Sequence, residues 1–258
     1  MAETYLSFDC ATKTFAFTVS RVSLPALRAT AQMRGRAAAA RLLLERAAAR
    51  LHCRDAESQQ RAAAEYSMAK DAIDRLDAET RSAIAILDGE VVDLAPGQPD
   101  ASVGTVDRLR ALAHYIERRV RPALALALAP APAGGGRADP PLVVIEYQMG
   151  PNSRARAVAA ALVALFAAER IVIVGPSLKN RVAASAAGQY GHFLQKHRTS
   201  YAANKAHALF NFRTVEAAFP SGVPPTSAAL RGHIADSFMQ VLGFILHGPD
   251  EKEATHMF

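Results

Sequence analysis

Residues 5–17 read YLSFDCATKTFAF, and the reading of this stretch decides the fold. Aromatic and β-branched residues dominate 4–10 and 15–22, which predicts two strands joined by a tight turn at 11–14. Pro25 closes the second strand. In the middle of the first strand stands a carboxylate, Asp9. Its neighbour Cys10 points to the opposite side of the strand and is expected in the core. Burying an unpaired carboxylate is costly. Asp9 therefore needs a cation, either a metal ion or a metal–nucleotide complex held by a phosphate loop.

Working outward, residues 142–147 (LVVIEY) form an apolar run of the kind buried on both sheet faces, and it turns acidic at Glu146. A helix is expected at 153–169, a strand at 171–174, a helix near 202–217 and a last helix over 227–246. Residues 104–128 carry Leu109, Leu112, Ile116 and Val120 at helical spacing. Between 82 and 94, the pair Asp88-Gly89 predicts a hairpin turn. The strands and helices in this order predict an α/β protein with a mixed sheet flanked by helices. One domain is expected over 1–248, with a helical insert at about 26–79, a Pro/Gly-rich flexible loop at 129–141 and a polar tail at 249–258. The insert is asymmetric in charge. Its first half carries seven arginines (from Arg28 to Arg54) against Glu45, and its second half seven acids against Arg61, Lys70 and Arg75. A complementary helical hairpin explains this without a partner. A long arm whose basic half touches nucleic acid is the alternative.

Half of the 258 residues are apolar, enough for one large domain or two small ones with a real core. No apolar run is long enough to read as a membrane span. The first strand begins within five residues of Met1, so no leader is expected and the protein is expected to be intracellular. Cys10 and Cys53 form neither a disulfide framework nor a metal knuckle. Net charge is +6, and its distribution is telling. From Ile171 to Val215 there is no acid, while Lys179, Arg181, Lys196, Arg198, Lys205 and Arg213 all fall there. A block of one sign points to a polyanionic partner, with Lys196 and Arg198 as candidate DNA contacts.

Asp9, Glu146 and Asp236 each break an apolar pattern, and His233 shares a helix face with Asp236. Singly, each has a plain structural reading: a turn cap, an arginine partner, a surface acid. Together they suit hard divalent cations, which take oxygen ligands from distant parts of a chain. Two such ions about 3.5–4 Å apart can drive phosphodiester cleavage, and a basic surface would hold the substrate.

Five segments carry a family resemblance: SFDCATKTFAF at 7–17, VVIEYQMGPNSRA at 143–155, VGPSLKN at 174–180, YAANKAHALFNF at 201–212 and HIADSFMQ at 233–240. In this order they resemble the RuvC-like Holliday junction resolvases of poxviruses and other large DNA viruses. The resemblance does not reach 23–81 or 129–141. It implies a ribonuclease H-like fold with a mixed five-stranded sheet, and a metal site of Asp9, Glu146 and Asp236 with His233 in place of a further acid. It implies two Mg2+ ions per site. Because an imidazole is a softer, neutral ligand, the second ion is expected to be held less tightly and Mn2+ to serve better. Lys205 would stabilise charge at the scissile phosphate. Lys179 and Asn180 would contact backbone phosphates, Gln148 and Asn152 the substrate or Glu146, and Lys13 and Phe15 the junction, with the core as an equal alternative for Phe15. A homodimer would grip four-way DNA, each subunit nicking one strand to leave a 5′-phosphate and a 3′-hydroxyl. The expected setting is a cytoplasmic viral replication site in an infected cell.

Three other readings stand beside it. Asp-Cys-Ala-Thr-Lys resembles the phosphate turn of actin-like ATPases, but Ala11 stands where a close backbone–phosphate approach prefers glycine, so no nucleotide cofactor is expected. A ribonuclease H-like nuclease acting on structured RNA or hybrids would use the same residues. So would a junction-binding protein whose catalysis is impaired, with His233 as the lesion.

Overall fold

The computed structural model describes residues 2–11, 13–27, 57, 60–68, 70–71, 82–99, 102–129, 139–147, 152–182, 196 and 199–247. The chain divides into two compact units, Met1–Ala2 with Val22–Ala85, and Glu3–Arg21 with Ile86–Phe258. In the first unit, residues 60–68 are helical and Ala62 is buried. Most of the expected helical hairpin at 26–79 lies outside the described residues, as do 130–138 of the expected loop and all of the tail.

The second unit is built on a mixed five-stranded sheet in the order β3-β2-β1-β4-β5. The strands are β1 (Glu3–Cys10), β2 (Thr14–Val22), β3 (Ile84–Asp93), β4 (Leu142–Glu146) and β5 (Arg170–Val174). Strand β4 lies parallel to β1 on one side, with Leu6 opposite Val143 and Phe8 opposite Ile145, and parallel to β5 on the other. A strand between two parallel partners and covered on both faces has no solvent side, so LVVIE is apolar until its last residue.

Helices α1 (Thr105–Tyr115) and α2 (Arg121–Leu128) are joined by a π-helical turn at Ile116–Val120. With α3 (Ser153–Leu165) they enclose the main core. Leu6, Phe8 and Cys10 of β1, Phe15 and Phe17 of β2, and Val143 and Ile145 of β4 meet Leu112, Ile116, Val158, Leu162 and Phe166 there. Of the two places open to Phe15, the junction contact surface and the core, it takes the core: it is fully buried and stacks on Phe8 with centroids 5.3 Å apart. The strand alternation that puts Thr14 at the site puts Phe15 in the core.

Asp88-Gly89 does not make a hairpin turn, because β3 runs unbroken through it. Gly89 has no positive φ, which the favoured two-residue hairpin turns require. A Cβ there would lie 3.3 Å from the Phe17 carbonyl and 3.2 Å from Thr18 Cγ2, so the glycine permits close approach to β2. Asp88 is held by both terminal nitrogens of Arg119, at 2.7 and 2.8 Å.

The other face of the sheet is covered by α5 (Ala228–His247), with α4 (Ser200–Ala218) packed against it. Residues 234–243 of α5 are all buried, in keeping with a helix apolar on nearly every side. Thr199 caps α4 by accepting from the Ala202 amide at 3.1 Å, and Arg231 pairs with Glu216 at 2.6 Å to tie α5 to α4. Gly243 lets α5 approach a 3-10 turn at Leu178–Arg181, since a Cβ there would fall 2.7 Å from the Leu178 carbonyl oxygen.

Candidate active site

The strand ends and α5 deliver the site. Along β1, Ser7 and Asp9 alternate with the core residues and point to the α5 side. On β4, Glu146 comes one residue after core-facing Ile145. Helix α5 presents His233, Asp236, Ser237 and Gln240 along the stripe that meets these strands. Ser237 fixes the register: its hydroxyl bonds Ser7 Oγ at 2.9 Å and Thr18 Oγ1 at 3.2 Å, and donates to the Ser7 carbonyl at 2.9 Å. This buried hydroxyl cluster ties β1, β2 and α5 one residue away from Asp236.

Asp9, Glu146, Lys205, His233 and Asp236, named from sequence, converge in one cluster. Two lysines thread it. Lys179 Nζ lies 3.3 Å from Glu146 Oε2 and 3.4 Å from Asp236 Oδ1. Lys205 Nζ contacts Asp236 Oδ2 and lies 3.8 Å from Asp9 Oδ2. His233 Nδ1 is 2.8 Å from Asp9 Oδ2 and its Nε2 is 3.1 Å from Thr14 Oγ1. An ionised carboxylate only accepts, so Nδ1 carries a proton, and His233 here orients Asp9 instead of offering it a lone pair. Gln240 Nε2 donates to Glu146 Oε2. Asp236 Oδ1 and Gln240 Oε1, both buried, accept no hydrogen bond.

The charges set one another. Burial pushes Asp9 up, but the His233 bond and the charges of Lys205, Lys179 and His233 outweigh it and hold the carboxyl below its ordinary range. Glu146 goes the other way. Burial pushes it up to about 7, Lys179 opposes that, and Asp9 and Asp236 reinforce it. Burial disfavours the Lys179 charge, yet Asp236, Glu146 and Asp9 raise it above the ordinary lysine range. Lys205 is raised likewise against its own burial, by Asp9 and Asp236. Burial first, then Asp9 and Glu146, push the Cys10 thiol well up, as suits an inert core residue.

The donors fit a hard divalent cation in kind: three carboxylates, with Asp236 Oδ1 and the Gln240 carbonyl oxygen left without donors. Among the described residues, no three His, Cys, Asp or Glu side chains stand close enough to share one ion. The Lys179 and Lys205 ammonium groups stand between the carboxylates instead.

The remaining expected contacts fall in different places. Lys179, expected on substrate phosphates, is 9% exposed and belongs to the carboxylate cluster, because Gly243 draws its turn onto α5. Asn180 is half-buried, with Oδ1 unpartnered. Asn152 caps α3, accepting from the Ala155 amide at 3.2 Å. Lys13 is half-exposed, 3.7 Å from Asp93. Lys196 is exposed, and Gln148 and Arg198 lie outside the described residues. Two participants escaped the sequence reading. Gln240 lies seven residues after His233 and four after Asp236, so the helical repeat of that face was the available signal. Tyr201 is 70% exposed on α4, its ring centroid 6.0 Å from Lys205 Nζ. A cavity of about 330 Å³ lined by Ile145, Tyr147, Arg156, Ala159, Ala160, Val163 and Ile173 holds no acidic side chain. No described helix is long and apolar enough to cross a membrane. Compared with protein-family models, with curated proteins and with solved structures, the chain finds no match in any of the three.

Proposed function

We propose that this chain is a metal-dependent DNA endonuclease of ribonuclease H-like organisation that resolves four-way junctions, acting as a homodimer. The observation that carries the reading is the convergence of Asp9, Glu146 and Asp236, from β1, β4 and α5, with Lys205 from α4 reaching in. The sheet order, with β1 and β4 parallel at its centre, is compatible with that organisation. Asp9 and Glu146 also lie at the carboxyl ends of adjacent parallel strands, where open α/β sheets place their ligands.

Divalent ions, when bound, supply an activated water and neutralise charge on the leaving oxygen. Asp9, Glu146 and Asp236 would hold them. His233 orients Asp9, Gln240 orients Glu146, and the Ser7–Thr18–Ser237 cluster keeps α5 in register with β1. Lys205, partly exposed, holds its positive charge beside Asp9 and Asp236, where a phosphate would build negative charge. Exposed Tyr201 beside it offers a face on which an unpaired base can stack. Exposed Lys196 and Arg213 extend the positive surface.

The test is cleavage by the purified protein of a four-way DNA junction, a linear duplex and an RNA–DNA hybrid, with Mg2+ or Mn2+. Paired symmetric nicks in the junction alone, lost in Asp9→Asn, are expected; a clear advantage of Mn2+ over Mg2+ would instead point to His233 as a ligand. Preference for the hybrid transfers the site to RNA processing, and inactivity on every substrate leaves only a binding role.

A further inference from the structure

The internal cation of this site is Lys179. We propose that its ammonium is the resident counter-ion of the Glu146–Asp236 pair, and that a divalent ion enters by exchange with it, driving the Lys179 side chain out of the cluster. This rests on the reading of Asp9, Glu146 and Asp236 as ion ligands.

Glu146 and Asp236 are 7% and 0% exposed, and two carboxylates this buried need a cation to remain charged side by side. Lys179 supplies it from a backbone that cannot readily move, since the Leu178 carbonyl is pressed against Gly243 of α5. The lysine stem is different: four methylenes allow the head group to leave while the turn stays. The hold is also loose. Contacts of 3.3 and 3.4 Å are longer than the 2.7–2.9 Å of a strong ammonium–carboxylate bond. Asp236 Oδ1 accepts no hydrogen bond, and neither does Oε1 of Gln240, whose Nε2 donates to Glu146. Asp236 Oδ1 thus meets Lys179 only as a long ion pair, and both oxygens are under-satisfied acceptors that suit an ion taking six or more ligands. Lys205 contrasts with this, because its contact with Asp236 Oδ2 is close and its side chain is already partly exposed. Of the two lysines, Lys179 is the more buried, so its release changes exposure the most.

Exchange predicts that ion binding unmasks Lys179. Ca2+ can be added to the full chain without DNA, and lysine acetylation by a water-soluble acylating reagent followed by peptide mass spectrometry. Exposed Lys196 serves as the internal reference. Labelling of Lys179 is expected to rise severalfold with Ca2+ while Lys196 stays constant, and Asp9→Asn should blunt the rise. By calorimetry, Lys179→Met should bind Ca2+ severalfold tighter and Lys179→Arg, whose planar head stays charged and pairs more firmly, more weakly. Calcium binding that depends on Asp9 but leaves Lys179 labelling unchanged overturns the exchange and spares the metal-site reading. Absence of Ca2+ binding in the wild-type protein overturns the metal-site reading itself.

Discussion

Along β1, Leu6, Phe8 and Cys10 enter one core, while Ser7 and Asp9 on the same strand meet α5. On the first side the contacts are aromatic and aliphatic: Phe8 lies 5.3 Å from Phe15 and 5.4 Å from Phe166, centroid to centroid. On the second they are hydroxyls, carboxylates and ammonium groups. The apolar face gains free energy from every group it buries. The polar face must satisfy each buried group to avoid a penalty, and its net contribution per hydrogen bond is small. The two faces of one sheet thus differ in kind, with apolar packing on the α1–α3 side and the charged cluster on the α5 side.

Phe8→Ala attacks that division most directly. Loss of a buried ring between two others is expected to remove about 3–5 kcal/mol of unfolding free energy. Urea denaturation measures it, and the folded fraction should keep its ion affinity. An equal loss of ion affinity would show that the faces are not separable.

Gly243→Ala strikes the chemical face through packing. A methyl 2.7 Å from the Leu178 carbonyl forces the 3-10 turn away from α5, at about 1–3 kcal/mol. Lys179 should become reactive to acylation even without ions, and cleavage should fall more than stability alone accounts for.

The smallest effect is in pH. Glu146 binds its proton more tightly folded, at about 7, than at its ordinary 4.5. Its contribution to stability is therefore full below about 4.5 and is lost as pH rises toward 7. Asp9, held low, acts oppositely: its contribution is present above its ordinary range and lost as pH falls through its folded value. In ion-free protein, Glu146→Gln should remove the decline between pH 5 and 7 seen in denaturation midpoints, and Asp9→Asn should remove the decline at lower pH. No change in either variant would mean that the lysines neutralise the cluster completely.

Strand positions, the buried strand ending in Glu146 and the helix bearing His233 and Asp236 were legible because period-two and helical patterns are local. The turn at Asp88-Gly89 was misread because its signal is also local, whereas the glycine answers to close packing against β2 from a distant part of the chain. Phe15 was left between junction contact and core, and its strand parity, which puts it on the side of Phe17, was the signal that decides for the core. Gln240 was legible in principle, from the face it shares with His233 and Asp236.

Sequence by itself determined most of the described elements, β3 read as a hairpin excepted, and the three acids that interrupt apolar runs, since burying a charge without a partner is expensive wherever the chain goes. Which cations answer those acids was decided only by tertiary structure. Lys179 is 33 residues from Glu146 and 57 from Asp236 in the chain. Nothing local distinguishes it from Lys196 or any other lysine in the basic block. The close approach of its turn to α5 at Gly243 makes it an internal counter-ion, because partnership between charges depends on distance and burial, which a sequence pattern does not carry.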